Sequence, residues 1–144
     1  MKLVRDLLAV KGNDVWSVTP ETKVFDALRL MAEKRVGAVL VLEKDDLVGL
    51  FSERDYARKV ILLGKSSKET PVKEIMSSKI VSVRPDQTTD ECMSLMTDNR
   101  IRHLPVMKDG KLHGIITIGD VVKAVIAEKE GVIEQLEHYI TGTF

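Results

Sequence analysis

The sequence is poor in several features that mark particular protein classes. A single cysteine, Cys92, excludes an internal disulfide and a structural zinc cluster of cysteines. The 22 basic residues balance the 22 acidic ones, so the chain lacks the positive field that draws proteins to nucleic acid. No apolar run approaches the roughly 20 residues of a membrane span. We therefore expect a soluble globular protein without a nucleic-acid or membrane partner.

Signals for export, metal binding and catalysis are also missing. Residues 1–10 are apolar but interrupted by Arg5 and Asp6, unlike a signal peptide. The three histidines lack metal-ligand spacing, and the sequence has neither an H-E-x-x-H nor a G-x-S-x-G motif. Cys92 falls on the apolar stripe of a predicted helix, where a small hydrophobic residue is the ordinary explanation. These absences favour a cytoplasmic protein that holds no metal or catalytic cofactor and is not an enzyme.

The 144 residues contain two copies of one unit. When Val15 is laid on Ile80, the sequence matches itself without a gap until Ile61 meets Ile126. Identical pairs occur along the whole alignment: Ser17 and Ser82, Val18 and Val83, Pro20 and Pro85, Leu30 and Leu95, Met31 and Met96, Arg35 and Arg100, Gly49 and Gly114, and Asp55 and Asp120. The chain is therefore expected to fold as two similar halves.

Each copy shows the same order of predicted elements. A β-branched run at residues 15–18 or 80–83 precedes a segment with helical spacing of apolar residues. Two further apolar runs are separated by a turn, Lys-Asp-Asp at residues 44–46 or Lys-Asp-Gly at residues 108–110, which predicts a hairpin. The predicted faces of the first helix are Val24, Ala27, Leu28 and Met31 in one copy, and Thr89, Cys92, Met93 and Met96 in the other. The methionines on these faces are interpreted as core residues.

A second helix closes each unit. Its predicted buried faces are Tyr56, Ala57, Val60 and Ile61, then Val121, Val122, Val125 and Ile126. The fold prediction is therefore α/β, or more closely α+β: two β-α-β-β-α motifs packed with pseudo-twofold symmetry. We assign residues 1–63 to the first motif with an N-terminal helix, 64–71 to a linker, 72–127 to the second motif after a short helix at 72–76, and 128–144 to a helical tail. The tail carries an apolar stripe that needs a cover, such as a partner subunit.

One local pattern occurs where a strand runs directly into the second helix. Both copies place a hydroxyl three residues before an aspartate, as Ser52 with Asp55 and Thr117 with Asp120. A reciprocal helix cap explains this spacing. The alternative is a ligand site, because helix N-termini present amides and partial positive charge to phosphate while the aspartate hydrogen-bonds a ribose diol.

Taken together, these motifs resemble a pair of cystathionine-β-synthase (CBS) domains, the tandem arrangement called a Bateman module. The resemblance rests on the repeat, the hydroxyl-x-x-Asp closings, the Ser-Val-x-Pro openings and Arg-His-Leu-Pro-Val at residues 102–106. Ser-Glu-Arg-Asp-Tyr at residues 52–56 is also similar to stand-alone CBS pairs of bacteria and organelles. The resemblance implies two clefts between the units that bind AMP, ADP, ATP, S-adenosylmethionine or NAD(H).

The resemblance also implies roles for individual residues. Asp55 and Asp120 would bind ribose hydroxyls, and Ser52 and Thr117 would bind phosphate or ribose oxygens. Ser17 and Ser82 would contact adenine through the backbone, and Ala38, Val39, His103 and Leu104 would line the base pocket. Arg54, Arg58, Arg102, Pro105 and Gly119 complete the predicted nucleotide-binding residues.

The two copies differ in charge, so the two clefts are expected to be unequal. Arg102 and His103 in the second copy replace glycine and alanine of the first, and Gly119 replaces Arg54. Gly119 permits close approach of a ligand to the backbone. Arg54 and Arg58 lie at i and i+4, where they either clamp phosphate or remain in solvent. His103 is either a ligand residue or a hydrogen-bonded structural histidine.

Two functional hypotheses follow. In the first, the chain is a regulatory sensor of adenine nucleotides that changes the behaviour of a partner enzyme in trans and forms a homodimer. In the second, the clefts are vestigial and the chain is a structural or protein-interaction module. The sequence does not choose the physiological nucleotide, the number of filled clefts, the regulated partner or the dimer geometry.

Overall fold

The computed structural model describes residues 2–141 and divides them into two compact units. Unit 1 contains residues 2–13 and 81–141, and unit 2 contains residues 14–80. Residues 142–144 of the predicted tail lie outside the described residues. Within residues 2–141 no helix has the length and apolar character needed to cross a membrane.

Unit 2 is built around a three-stranded sheet in the order β1-β2-β3. Its elements are β1 (Ser17–Val18), α2 (Val24–Lys34), β2 (Ala38–Glu43), β3 (Asp46–Ser52) and α3 (Glu53–Tyr56), which continues as a π-helical turn (Ala57–Ile61). A 3₁₀ turn follows at Val72–Glu74. Strand β1 pairs parallel to β2, and β2 pairs antiparallel to β3. The order of elements in the first motif therefore agrees with the prediction.

Unit 1 contains α1 (Val4–Lys11) followed by the second motif: α4 (Thr89–Asn99), β4 (His103–Lys108), β5 (Lys111–Thr117) and α5 (Ile118–Thr141). Strands β4 and β5 are antiparallel and have the register of β2 and β3, including a shift at the equivalent point. Both hairpins turn through two residues with positive φ, Lys44 and Asp45 in one and Asp109 and Gly110 in the other. Turns of this kind match the twist of paired strands, so the predicted hairpins are present in both copies.

The prediction of a regular strand at residues 80–83 is wrong. Only an isolated bridge from Val83 to Val106 takes its place. In the first motif, Leu40 N–H donates to Trp16 O at 3.0 Å. The repeat places Pro105 at the position of Leu40, and proline has no N–H to donate. The second copy therefore loses one ladder bond, and pairing contracts to the bonds made by Val83.

Fewer residues are buried on each helix face than the sequence predicted. Val24, Ala27 and Met31 of α2 are buried, as are Thr89, Cys92 and Met96 of α4. Met93 is 40% exposed, so its interpretation as a core residue is wrong. Val60 and Val121 are buried on the closing helices, whereas Ala57, Ile61, Val122 and Ile126 are exposed. Helical periodicity identifies the direction of the inner face, but only residues nearest its centre reach the sheet.

The segment that leads into each motif packs with the other motif. Residues 3–8 align with residues 71–76, and we call these two segments the leaders. The first leader packs in unit 1, where Val4 N–H donates to Gln87 O at 2.8 Å. The second leader packs in unit 2, where Val72 N–H donates to Thr22 O at 2.8 Å. The repeat makes Thr22 equivalent to Gln87. The N-terminal helix thus groups with the second motif in space, although the sequence division joined it to the first.

A glycine in the second strand of each hairpin makes room for a leader side chain. A Cβ added at Gly114 would lie 2.8 Å from Leu8 Cδ2, and one added at Gly49 would clash with Met76. Leu8 is itself buried against the unit 1 core. Both glycines therefore preserve leader packing by leaving space for a leader side chain.

We predict that Gly114→Ala destabilises the chain by about 1–3 kcal/mol, the usual cost of overpacking a core. The Leu8→Ala background removes the clashing atom, so the two changes should combine less than additively. Urea unfolding measures this cost. Gly131→Ala is the matched control, since nothing lies within 4 Å of its added Cβ, and it should stabilise α5 by up to about 1 kcal/mol. A neutral Gly114→Ala, with the control behaving as stated, would contradict the packing account.

Candidate functional site

The predicted site aspartates both lie in the first turn of a closing helix. Asp55 Oδ2 accepts hydrogen bonds from Ser52 N–H at 3.0 Å and Ser52 Oγ at 3.1 Å. Asp120 Oδ2 accepts from Thr117 N–H at 2.8 Å and Thr117 Oγ1 at 2.9 Å. In return each aspartate N–H donates to the hydroxyl oxygen at 3.2 Å. The reciprocal cap expected from the spacing is therefore present in both copies, and it fixes the orientation of both carboxylates.

The second oxygen of each carboxylate distinguishes the two copies. In unit 2, Asp55 Oδ1 accepts from Ser77 Oγ at 3.3 Å and lies 3.3 Å from Lys59 Nζ. In unit 1, no residue within 2–141 donates a hydrogen bond to Asp120 Oδ1. The Asp120 side chain is also more exposed, at 18% against 10% for Asp55. Asp120 therefore keeps an acceptor for a ligand hydroxyl, whereas Asp55 is already satisfied on both oxygens.

A lysine from α1 completes the unit 1 site. Lys11 Nζ donates to Asp120 Oδ2 at 2.7 Å and to Ile115 O at 3.0 Å. Burial alone would raise the pKa of Asp120, but the hydrogen bond and charge of Lys11, together with the Thr117 bonds, hold that pKa below its ordinary value. The carboxylate is therefore ionised at neutral pH and is an acceptor only.

Arg102 adds positive charge to the same site, and His103 adds an imidazole that is neutral in the free protein. Burial lowers the pKa of His103, and the charges of Lys11 and Arg102 lower it further against the opposing effect of Asp120. His103 is half-buried at the start of β4, and the Arg102 side chain is exposed. A neutral imidazole beside two fixed cations gains a proton readily when an anion arrives, because the anion offsets their field.

The other predicted residues fall into three groups. Ala38, Val39, Leu104 and Pro105 are buried in the strands and would reach a ligand only through backbone atoms. Ser17, Ser82 and Arg58 are exposed. Arg54 is exposed at the first turn of α3, and Gly119 lies at the equivalent turn of α5. A Cβ at Gly119 would meet only Thr117 Oγ1 at 3.6 Å, so packing does not require glycine there.

Three residues at these carboxylates were missed from the sequence: Lys59, Ser77 and Lys11. Lys59 lies four residues after Asp55, a spacing that brings side chains together on a helix. Ser77 lies just after the second leader and Lys11 shortly after the first. Each reaches its aspartate because each leader packs with the motif that it does not precede in sequence. Cys92 is buried, and burial followed by the charge of Glu91 raises the pKa of its thiol to about 11. The thiol is therefore protonated and unreactive at neutral pH.

Within residues 2–141 no three His, Cys, Asp or Glu side chains form a metal-binding group. What the unit 1 site does present is an oriented carboxylate, a hydroxyl and three cationic or basic side chains. That combination suits a ligand with both hydroxyl groups and negative charge.

Comparison with known proteins identifies the family. The model of the CBS domain matches residues 4–61 and 72–127. The chain is 41% identical over 98% of its length to the CBS domain-containing protein CBSX3, mitochondrial, of Arabidopsis thaliana, and covers 73% of that protein. It is 33% identical over 83% of its length to YhcV of Bacillus subtilis, and covers 83% of that protein.

Solved structures agree. A CBS-domain protein from Burkholderia ambifaria superposes with a TM-score of 0.85 at 53% identity, over 88% of this chain and 95% of that one. The CBS domain pair of protein MJ0100, solved in complex with 5′-methylthioadenosine and S-adenosyl-L-methionine, superposes with a TM-score of 0.76 at 19% identity, over 89% and 98% of the two chains. At that identity the likeness concerns the fold. With both halves matched by the family model and by solved relatives, this chain belongs to the CBS-domain family as a tandem pair of CBS domains.

Proposed function

We propose that the chain is a regulatory sensor that binds an adenine nucleotide, AMP, ADP, ATP or NAD(H), and does no chemistry itself. The observation that carries this proposal is the unit 1 site, where Asp120 Oδ1 accepts no hydrogen bond from residues 2–141. A ribose diol supplies the donors that this oxygen lacks. A carboxylate oriented by a helix cap binds such a diol without losing the cap.

The charges around Asp120 favour an anionic nucleotide over a bare nucleoside. Lys11 and Arg102 bring two positive charges and Asp120 one negative charge, and His103 becomes a third cation when it gains a proton. The start of α5 adds partial positive charge in the same direction. Phosphate oxygens are strong partners for such groups. Adenosyl ligands in the structure of MJ0100 support the adenosine part of the proposal.

The proposal assigns the tighter site to unit 1. For Asp55 to bind a ribose hydroxyl, the hydroxyl would have to displace Ser77 or share an oxygen with Lys59. Displacing a hydrogen bond that is already made removes much of the net gain from forming a new one. Asp120 requires no such exchange at Oδ1. Unequal occupancy of the two sites therefore follows from their hydrogen bonds.

Regulation requires that the nucleotide bind two states of the protein with different affinity. Lys11 is suited to this coupling, because it joins α1 to the site carboxylate and is drawn toward a phosphate. We propose that nucleotide binding thereby changes how the chain engages a separate partner enzyme, with the chain itself acting as a homodimer. A cytoplasmic location stays a prediction, since the Arabidopsis relative is named as mitochondrial.

The alternative is a structural or protein-interaction module whose sites no longer bind nucleotide. The observation that favours it is the apolar stripe on α5, where Val132, Ile133, Leu136, Tyr139 and Ile140 are 55–81% exposed. Under this alternative, that helix would carry the function and neither aspartate would matter. The two proposals differ in whether any adenine nucleotide stabilises the protein.

We predict that AMP or NAD(H) raises the thermal midpoint by several degrees. Ligand at about 100 times its dissociation constant adds roughly 2.7 kcal/mol of stability. For a domain of this size, such a gain raises the thermal midpoint by several degrees. Asp120→Asn should abolish most of the shift, because the amide oxygen is needed by the Thr117 cap and the NH2 group then replaces the acceptor Oδ1 with a donor. The matched Asp55→Asn should keep most of it. Differential scanning fluorimetry, with each variant melted without ligand as its own baseline, provides the measurement.

Two outcomes of this experiment would contradict different parts of the proposal. If no adenine nucleotide shifts the wild-type midpoint, the interaction module replaces the sensor. If Asp55→Asn loses the shift as completely as Asp120→Asn does, the sensor stands but the assignment of the tighter site to unit 1 is wrong.

We also predict that AMP binding takes up protons at His103. The pKa of His103 in the free protein lies below its ordinary value, so the imidazole is neutral at pH 7. A bound phosphate favours the charged form and raises that pKa. Uptake should therefore be positive near pH 6.5, the ordinary histidine value, and should vanish near pH 8, where neither state is protonated. Isothermal titration calorimetry in buffers of different ionisation enthalpy measures it.

Adenosine provides the ligand control and His103→Gln the protein control, and neither should take up protons through this residue. The phosphate of AMP titrates in a similar range, so only the difference between wild type and His103→Gln counts as His103 uptake. Equal uptake by the two proteins would place the phosphate away from His103.

A further inference from the structure

The closing helix of the first motif ends in three adjacent exposed aliphatic side chains. Ile61, Leu62 and Leu63 are 57%, 75% and 65% exposed, and Gly64 with its positive φ of 68° follows them. We call residues 61–64 the tip. Single exposed apolar residues are normal on a protein surface, whereas a contiguous apolar patch marks a contact surface.

The fold does not require leucine at the tip. The repeat places Ala127 and Glu128 of the second copy at the positions of Leu62 and Leu63. Helix α5 continues through both of these residues, so the same place in the motif accepts a small side chain and a charged one. The two leucines are therefore a feature of the first copy alone, and the core does not explain them.

A π-helical turn at Ala57–Ile61 precedes the exposed leucines. Leu62 N–H donates to Ala57 O at 3.2 Å, and Lys65 N–H donates to Val60 O at 2.9 Å. Both bonds reach back five residues, which is the π spacing. Val60 is fully buried, whereas the three residues after it are exposed. Turns of this kind are rare and occur frequently at functional sites, and the equivalent part of α5 is an ordinary α-helix.

Positive charge surrounds the tip. Residues 56–68 form the longest run of the sequence without aspartate or glutamate. The charged residues of this run are all cations: Arg58, Lys59, Lys65 and Lys68. Lys59 is partly offset, because its Nζ lies 3.3 Å from Asp55 Oδ1. Arg58 and Lys65 are exposed, and neither forms an ion pair with another residue of the described range 2–141.

Two acidic residues that border this run have cations close by. Glu69 directly follows the run, and Lys23 Nζ donates to its backbone oxygen at 3.3 Å. Asp26 lies in the first turn of α2, and Arg29 Nη1 is 3.8 Å from its Oδ1. The acidic neighbours therefore do not cancel the charge of the run, and the surroundings of the tip remain cationic.

We propose that the tip and the cations of residues 58–68 bind the surface of an anionic lipid membrane. The aliphatic side chains enter the boundary between headgroups and acyl chains, and the cations contact lipid phosphates. The long apolar stems of lysine and arginine allow both contacts at once. The sequence prediction of no membrane partner rested on the lack of a membrane-spanning run, which a surface contact does not need.

The consecutive positions of the apolar residues favour lipid over a protein groove. Successive side chains of a helix point about 100° apart, so Ile61, Leu62 and Leu63 diverge and do not form one stripe. A protein groove receives a helix through anchors three or four residues apart. A fluid lipid surface accommodates diverging side chains. An acidic protein segment is the other possible occupant, and the experiments below separate the two.

Co-sedimentation of the full chain with lipid vesicles tests the inference. The vesicles contain phosphatidylcholine alone or with about one-third phosphatidylglycerol, which gives the surface negative charge. Binding to the anionic vesicles and little binding to the neutral ones are expected, and added salt should weaken the binding by screening. No binding to anionic vesicles would overturn the inference and leave an acidic protein segment as the occupant of the tip.

Charge variants test whether the cations of the run are responsible. Lys65→Gln combined with Lys68→Gln should weaken vesicle binding by about 25-fold, since each basic residue at an anionic surface contributes roughly fivefold. Lys108→Gln combined with Lys111→Gln is the matched control, because it removes the same charge from exposed positions at the other hairpin turn. Equal losses would show that binding follows the net charge of the chain and would overturn the assignment to the tip.

A fluorescent probe tests whether the tip enters the lipid. Leu63→Cys and Val10→Cys are each labelled with nitrobenzoxadiazole, and Val10 is the control because it is 86% exposed on α1. Cys92 does not react, since its buried thiol has a pKa of about 11. Anionic vesicles should shift the emission of the probe at position 63 to shorter wavelength and leave that at position 10 unchanged. Equal shifts, or no shift at position 63, would overturn insertion of the tip.

The inference goes beyond the proposed function and fails or stands separately from it, because the tip lies in unit 2 and Asp120 in unit 1. Leu62→Ser combined with Leu63→Ser should abolish most vesicle binding and keep the thermal shift by AMP and the sedimentation coefficient of the wild type. A changed sedimentation coefficient with unchanged vesicle binding would identify the tip as a contact between copies and overturn the inference. A wild type that binds vesicles but no nucleotide would remove only the sensor.

Discussion

The structure depends on a capped junction where the second strand of each hairpin enters the closing helix. One carboxylate oxygen of Asp55 or Asp120 is committed to the preceding hydroxyl residue, which satisfies amides that a helix start leaves unpaired. The same bonds hold the carboxylate in one orientation. Under the proposed function, the cap uses one oxygen of each side chain and the nucleotide uses the other.

The packing of the two leaders makes Asp55 and Asp120 different. Each leader packs with the motif that it does not precede in sequence, and a residue shortly after each leader contacts the aspartate there: Ser77 at Asp55 and Lys11 at Asp120. A hydroxyl donor occupies the remaining oxygen of Asp55, whereas a lysine joins the oxygen of Asp120 that is already in use. Different residues after the two leaders thus make the two repeated carboxylates chemically unequal.

The sequence predicts the features that depend on local patterns. The hairpin turns and the hydroxyl-x-x-Asp caps involve residues within a few positions of one another, and the repeat is read directly from matching residues in the two copies. Features that depend on distant contacts were missed: the leader exchange, the site role of Lys11, and the exposure of Met93 and Val122 on faces whose direction was right but whose width was not. Pro105 is an intermediate case, because its missing N–H was readable but its hydrogen-bonding position became evident only in the structure.

A crystal structure of the protein with bound AMP tests the central claim most directly. The account predicts a ribose hydroxyl within hydrogen-bond distance of Asp120 Oδ1, with the phosphate near Lys11 and the cap from Thr117 intact. Asp55 should keep its bonds to Ser77 and Lys59. A ribose bound at Asp55 in preference to Asp120, or a nucleotide that touches neither carboxylate, would contradict it.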